Sequence, residues 1–153
     1  MKRIWMFSVI FYCALILLSC LSLQALEKPY STEDVKHMSD AEKKECVKKN
    51  IAFLQTFRKC IGCYLVGAHL AGMNLQRVDL TDANLEEARA QGASFNSAIL
   101  KSARLKNALL RAADLTNSNT SEANFTGADL TDTQLNPNMR SDRIGFPDTE
   151  YEQ

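Results

Sequence analysis

Residues 126–135 read TGADLTDTQL, and their rhythm fits neither of the two standard backbone templates. Leu130 and Leu135 stand five apart, with Ala128 and Thr133 two places before them. Hydrophobes five apart drift around a helix of 3.6 residues per turn and change face at each step along a strand of period two. The same beat runs upstream without a break. Cut in fives from Cys63, the chain reads CYLVG AHLAG MNLQR VDLTD ANLEE ARAQG ASFNS AILKS ARLKN ALLRA ADLTN SNTSE ANFTG ADLTD TQLNP, fifteen blocks with no insertion or deletion. The central residue is Leu or Phe in thirteen blocks, with Ala90 and Thr120 as exceptions, and the residue two earlier is Ala in ten. Register held over that distance makes a repeat architecture the first conclusion.

Composition excludes more than it assigns. The 153 residues carry 18 basic and 18 acidic side chains, so no global field marks a nucleic-acid or membrane partner. Residues 63–137 hold 6 basic against 8 acidic side chains, and residues 26–62 hold 8 against 6. No Ser/His/Asp order, paired-carboxylate element, Gly-rich phosphate loop or HExxH helix appears, and an enzyme is not expected. No cofactor is implied.

The first residues carry an address. Lys2 and Arg3 precede an apolar run from Ile4 to Leu18, small residues follow, and the chain turns polar at Glu27. That is the plan of a secretory signal, with cleavage after Ala25 as the preferred reading. In a second reading, LLSC at 17–20 is a lipobox and Cys20 takes a lipid after cleavage. In a third, the apolar run stays as an uncut anchor, being close to the ~20 residues that span a bilayer. All three place the remainder outside the cytoplasm, periplasmic or secreted, and allow membrane contact only through the leader or a lipid at Cys20. Residues 26–62 then form a linker and helical cap, 63–137 the repeat domain and 138–153 a C-terminal tail or cap.

ANL at 83–85, ADL at 113–115, ANF at 123–125 and ADL at 128–130 resemble the pentapeptide-repeat family, whose motif is A(D/N)LXX. The resemblance implies an all-β solenoid: a right-handed quadrilateral β-helix in which four pentapeptides make one coil. Fifteen blocks give just under four coils. One residue in five then points to the axis, and residues twenty apart stack at the ~4.8 Å spacing of neighbouring strands. The expected interior ladders are Leu65, Leu85, Leu105, Phe125; Leu70, Ala90, Leu110, Leu130; Leu75, Phe95, Leu115, Leu135; and Leu80, Leu100, Thr120. Ala90 and Thr120 are expected to leave voids costing on the order of 1–3 kcal/mol each.

A short solenoid exposes core at both ends and needs caps. SDAEKKECVKKNIAFLQTF at 39–57 reads as a helix capped by Ser39 or Asp40, with Arg58 and Lys59 at its end. Its stripe of Val47, Ile51, Leu54 and Phe57 is expected to lie on the first coil. Ser31 and Asp34 read as a capping pair of a preceding turn. Met139, Ile144 and Phe146 are available to cover the last coil, and some relatives pair as dimers through that end.

RKCIGCYL at 58–65 is the sharpest local motif, and a Cys-x-x-Cys ahead of the repeats is similar to secreted-looking members of the family. Three readings apply. Cys60 joins Cys63, or one of them joins Cys46, in a structural disulfide. Alternatively Cys46, Cys60, Cys63 and His37 or His69 hold zinc, making a metal-binding protein. The third is a thioredoxin-like redox pair, which lacks its βαβ context. The structural reading is preferred, because zinc thiolates and persistent disulfides belong to different compartments. Asp79, Asp114 and Asp129 fill the motif's Asp/Asn place and are expected to shape corners. Glu86 and Lys106 are expected to face each other one rung apart, a pair worth at most ~1 kcal/mol.

Two functions follow from the resemblance. One is a non-enzymatic extracytoplasmic scaffold for an unknown protein or envelope partner. The other is mimicry of duplex DNA toward a type II topoisomerase, which needs a long acidic rod in the cytoplasm. Few coils, the interrupting Lys101, Arg104, Lys106 and Arg111, and the leader all argue for the scaffold, with no nucleic-acid partner.

Overall fold

The computed structural model describes residues 28–136 and Met139. The leader 1–25, its Cys20, and the tail 138–153 apart from Met139 lie outside the described residues. Among the described residues, twelve parallel bridges join positions twenty apart, from Lys59–Asp79 to Asp114–Gln134. They form four columns: 59, 79, 99, 119; 64, 84, 104, 124; 69, 89, 109, 129; and 74, 94, 114, 134. Each rung is a short slanted ladder. Leu85 N–H donates to Arg104 O at 2.7 Å on the coil above, and Asn84 N–H donates to Cys63 O at 2.8 Å on the coil below.

Between rungs the chain turns every fifth residue. Ala88 N–H donates back to Leu85 O at 3.1 Å, and the second corner residue, Glu87, has φ 58°. An i+3→i hydrogen bond with positive φ at the third residue is the signature of a type II turn. The same place is filled by glycine at 62, 67, 72, 92 and 127, and by other residues elsewhere, including Ala112 at φ 56°. The corner thus imposes the left-handed conformation on L residues that gain nothing from it locally.

The ladder starts five residues ahead of Cys63. Lys59 bridges Asp79, Cys60 N–H donates to Asp79 O at 2.7 Å, and Gly62 N–H donates to Thr81 O at 2.8 Å, the same pair of bonds that the sides centred on Leu65 through Leu110 make. Arg58–Gly62 is therefore a full side with Cys60 in the axial place. It escapes the sequence pattern because cysteine replaces leucine and Arg58 replaces the small residue.

Inside, Leu65, Leu70, Leu75, Leu80, Leu85, Phe95, Leu100, Leu105, Leu110, Leu115, Phe125 and Leu130 are buried, and Leu135 is half-buried against them. Alanines two places earlier fill the spaces between. The small axial residues do not stand alone. On the second coil Ala90 is followed on the next side by Phe95, and on the fourth Thr120 by Phe125, whereas the third coil is Leu100, Leu105, Leu110 and Leu115. Ala and Phe carry eight side-chain carbons between them, as two leucines do, so the axial side chains of the second coil match those of the third in carbon count. The carbon count therefore balances around the coil and not along a column.

One helix, α1 (Asp40–Phe57), precedes the coil. Ser39 caps it: Glu42 N–H donates to Ser39 Oγ at 3.4 Å and Ser39 N–H donates to Glu42 Oε2 at 2.8 Å, closing a capping box. Ser31 and Asp34 make the same reciprocal pair over a turn, with Ser31 N–H on Asp34 Oδ2 at 2.8 Å. Arg58 ends α1 with φ 56°, its N–H on Leu54 O, and Lys59 is already on the coil.

On α1, Cys46, Asn50, Phe53 and Leu54 are buried; Phe53 and Leu54 join the core of the coil, with half-buried Val47 and Ile51 packed against it. Phe57, expected on that stripe, is 45% exposed and stacks on Phe53 with ring centroids 4.6 Å apart. The left-handed turn at Arg58 carries the chain straight into the first side, which leaves Phe57 at the rim.

Candidate functional site

The junction of α1 with the first coil gathers the cysteines and the polar groups that hold the open end. Cys60 and Cys63 are both fully buried and joined by a disulfide, Cα–Cα 5.3 Å, across the first corner. Cys60 Sγ lies 3.7 Å from Asn50 O on α1. Cys46 is a free, buried thiol 3.6 Å from Met38 Sδ, and desolvation pushes its pKa up. The staple therefore closes a corner and does not tie helix to coil. His37 and His69 are exposed, and among the described residues no group of three His, Cys, Asp or Glu side chains is placed to hold a metal.

Helix and coil are tied by Asn50, which the sequence reading passed over. It is fully buried and uses both ends of its amide. Oδ1 accepts from Tyr30 N–H at 2.7 Å, and Nδ2 donates to Tyr30 O at 2.7 Å and Tyr64 O at 2.9 Å. Tyr64 N–H also donates to Tyr30 O at 2.7 Å, and Ser31 makes an antiparallel bridge to Cys63. Residues 30–31 thus add a short strand beneath the first coil, and Asn50 locks it there.

On another side of that coil, the Arg58 guanidinium donates to Asn74 O at 2.8 Å and to Gln76 O. These carbonyls have no coil below to bond with, so a strand edge that would otherwise be open is satisfied from within the chain. An asparagine on the inner face of a helix, four residues from Cys46 and from Leu54, was the available signal.

The outward side chains stand in the four rung columns. Asp79, Asp114, Asn119, Asn124 and Asp129 each turn Oδ1 onto the N–H and hydroxyl two residues on, as in Thr81 N at 3.0 Å and Thr81 Oγ1 at 2.6 Å for Asp79. These are Asx turns that pair a corner N–H otherwise left to solvent, and they give the physical reason for Asp or Asn in the repeat. At Asp129 the Thr131 hydroxyl and N–H hold the carboxyl below its ordinary pKa, aided by Arg111 at 3.9 Å.

Glu86 pairs with Arg104 at 3.4 Å and not with Lys106: the rung partner of Asn84 reaches diagonally to it. Both members are well exposed, so the pair contributes little. Lys101, Arg104, Lys106 and Arg111 are all exposed. Phe57, Ile61, Ile99 and Leu109 are the exposed large hydrophobics among the described residues.

The pentapeptide-repeat description matches residues 63–101 and 103–136 in eight copies. The chain belongs to the pentapeptide-repeat family. As a pentapeptide-repeat protein it is a right-handed β-helix. A pentapeptide-repeat protein of the cyanobacterium Cyanothece 51142 is 23% identical, over 58% of this chain and 91% of that one, with a TM-score of 0.44. Another, from Nostoc PCC 7120, is 26% identical, over 74% and 93% of the two chains, with a TM-score of 0.34. One from the Arabidopsis thaliana thylakoid lumen is 26% identical, over 52% and 48%, with a TM-score of 0.28. No curated protein matches the chain.

Proposed function

We propose that this pentapeptide-repeat protein is a non-enzymatic, extracytoplasmic scaffold that binds a protein or an envelope component through its outward faces. In this reading the coil is a square post and α1 its lid. The observation that carries it is the rung register. Backbone groups are spent on neighbouring coils and apolar side chains on the axis, which leaves columns of outward side chains fixed at the ~4.8 Å strand spacing. Such columns suit recognition of an extended surface and need no reacting group. The Cys60–Cys63 disulfide supports an oxidising compartment, in agreement with the exported leader.

Intact mass of the protein from its own source, before and after reduction with thiol alkylation, tests the placement. The expected chain begins after Ala25, or at a lipid-bearing Cys20, with Cys60 and Cys63 bridged and Cys46 alkylated only on unfolding. An uncut chain in which all three thiols alkylate without reductant would refute it.

A further inference from the structure

The Asx corners divide into two kinds. In five of them a hydroxyl two residues on donates to the Asx Oδ1: Thr81, Thr116 and Thr131 onto aspartates, Ser121 and Thr126 onto Asn119 and Asn124. A carboxylate oxygen serves this corner as well as an amide oxygen does, as Asp79, Asp114 and Asp129 demonstrate. The fold therefore has no use for the amide nitrogen at 119 and 124. In both asparagines Oδ1 is taken by the hydroxyl and the N–H, and Nδ2 donates to no described residue. Asn119 is exposed and Asn124 half-buried, on adjacent sides of the last coil, in the outward rung position.

Asn119-Thr120-Ser121 and Asn124-Phe125-Thr126 are also the chain's two Asn-x-Ser/Thr triplets without proline at x, the acceptor sequence for N-linked oligosaccharide in exported proteins. Asn74 and Asn84 occupy the same rung position but are followed by Gln76 and Glu86, and they lack the hydroxyl. We infer that Asn119 and Asn124 are sites of N-linked glycosylation, an inference that rests on the exported reading above. The donor is an oligosaccharide carried on a lipid pyrophosphate. The amide nitrogen forms a bond to the anomeric carbon, the bond from that carbon to the pyrophosphate oxygen breaks, the lipid pyrophosphate leaves, and the amide releases one proton. No electron changes hands.

Thr120 and Phe125 occupy axial places in the closed coil, with Phe125 fully buried, so the transferase reads both triplets before the fourth coil closes. In the closed coil both asparagines keep their outward rung positions, and neither Nδ2 donates to a described residue. Sugars on these two sides crowd the C-terminal end and leave the earlier coils and α1 open to a partner.

The test is intact mass of the full chain from its own source, for wild type, Asn119→Asp, Asn124→Asp and the double variant. Aspartate keeps the corner, as it does at 79, and removes the acceptor nitrogen, so folding and modification separate. A leader-free chain heavier by whole sugar residues, with the increment absent from the double variant, is the expected result. A leader-free chain of unmodified mass overturns the glycosylation and leaves export standing. A chain that retains residues 1–25 and bears no sugar overturns both.

Discussion

Replacing Phe95 by Leu, Ala90 by Leu, and both together sets the packing of the second coil against a clear expectation. Phe95 is fully buried and Ala90 is 2% exposed, on adjacent sides of one coil whose other axial residues are Leu80 and Leu85. Phe95→Leu removes three carbons from a closed interior. At ~0.8 kcal/mol per buried methylene, with only partial collapse, it costs about 2 kcal/mol. Ala90→Leu forces three carbons into a closed interior, and such overpacking costs about 1–3 kcal/mol.

The double variant restores the carbon count and yields a coil of four leucines, the composition the third coil already carries at 100, 105, 110 and 115. Its stability should lie within about 1 kcal/mol of wild type, because volume-conserving swaps are tolerated. The coupling energy is then about 3 kcal/mol, near the top of the range for residues in contact. Urea unfolding of the mature protein, followed by circular dichroism at constant m, measures all four corners of the cycle. Additive losses, with the double variant less stable than either single one, would refute the claim that volume is conserved around the coil.

Three further outcomes are expected. Asn50→Leu should cost about 3 kcal/mol, since it orphans Tyr30 N–H and Tyr64 O beneath the first coil, with faster hydrogen exchange at Tyr64 N–H as the local readout; unchanged exchange there would remove Asn50 from its locking role. Ala112→Gly should stabilise by about 0.5–1 kcal/mol by relieving a left-handed alanine, whereas Gly127→Ala should destabilise, because its φ is 70° and a Cβ would press on the Asn107 amide oxygen; thermal denaturation compares the two. Hydrogen bonds from Ser39 hold the Glu42 carboxyl below its ordinary range, so the capping box contributes above the unfolded value near 4.5 and is lost as pH falls through the lower folded value. The Tm gap between wild type and Glu42→Ala should accordingly close on acidification from about pH 6 to about pH 3, and a gap constant with pH would contradict the box.

The coil was legible because its rule is local and repeated. A turn every fifth residue, a small residue to close it and, in seven of the fifteen blocks, an Asx to pair a corner N–H are each written within five positions, and the five-residue beat holds through all fifteen. The first side, Arg58–Gly62, was illegible for the same reason: Cys60 and Arg58 break the local rule, and only the bonds to Asp79 and Thr81 on the next coil reveal it. Phe57 was misplaced because helical period predicts a face but not where the chain must leave it.

By itself, then, the chain's sequence determined the five-residue repeat, the axial residues and the existence of a capped helix before the coil, while the twenty-residue register followed from the resemblance to the pentapeptide-repeat family. The tertiary structure alone decided that Cys60 bonds Cys63 and leaves Cys46 free, and that Asn50 and Arg58 close the first edge. Periodic burial is a property of spacing, which any window of sequence displays. A disulfide partner and a bond to an orphaned carbonyl are properties of two residues meeting, and their meeting is set by the closed coil.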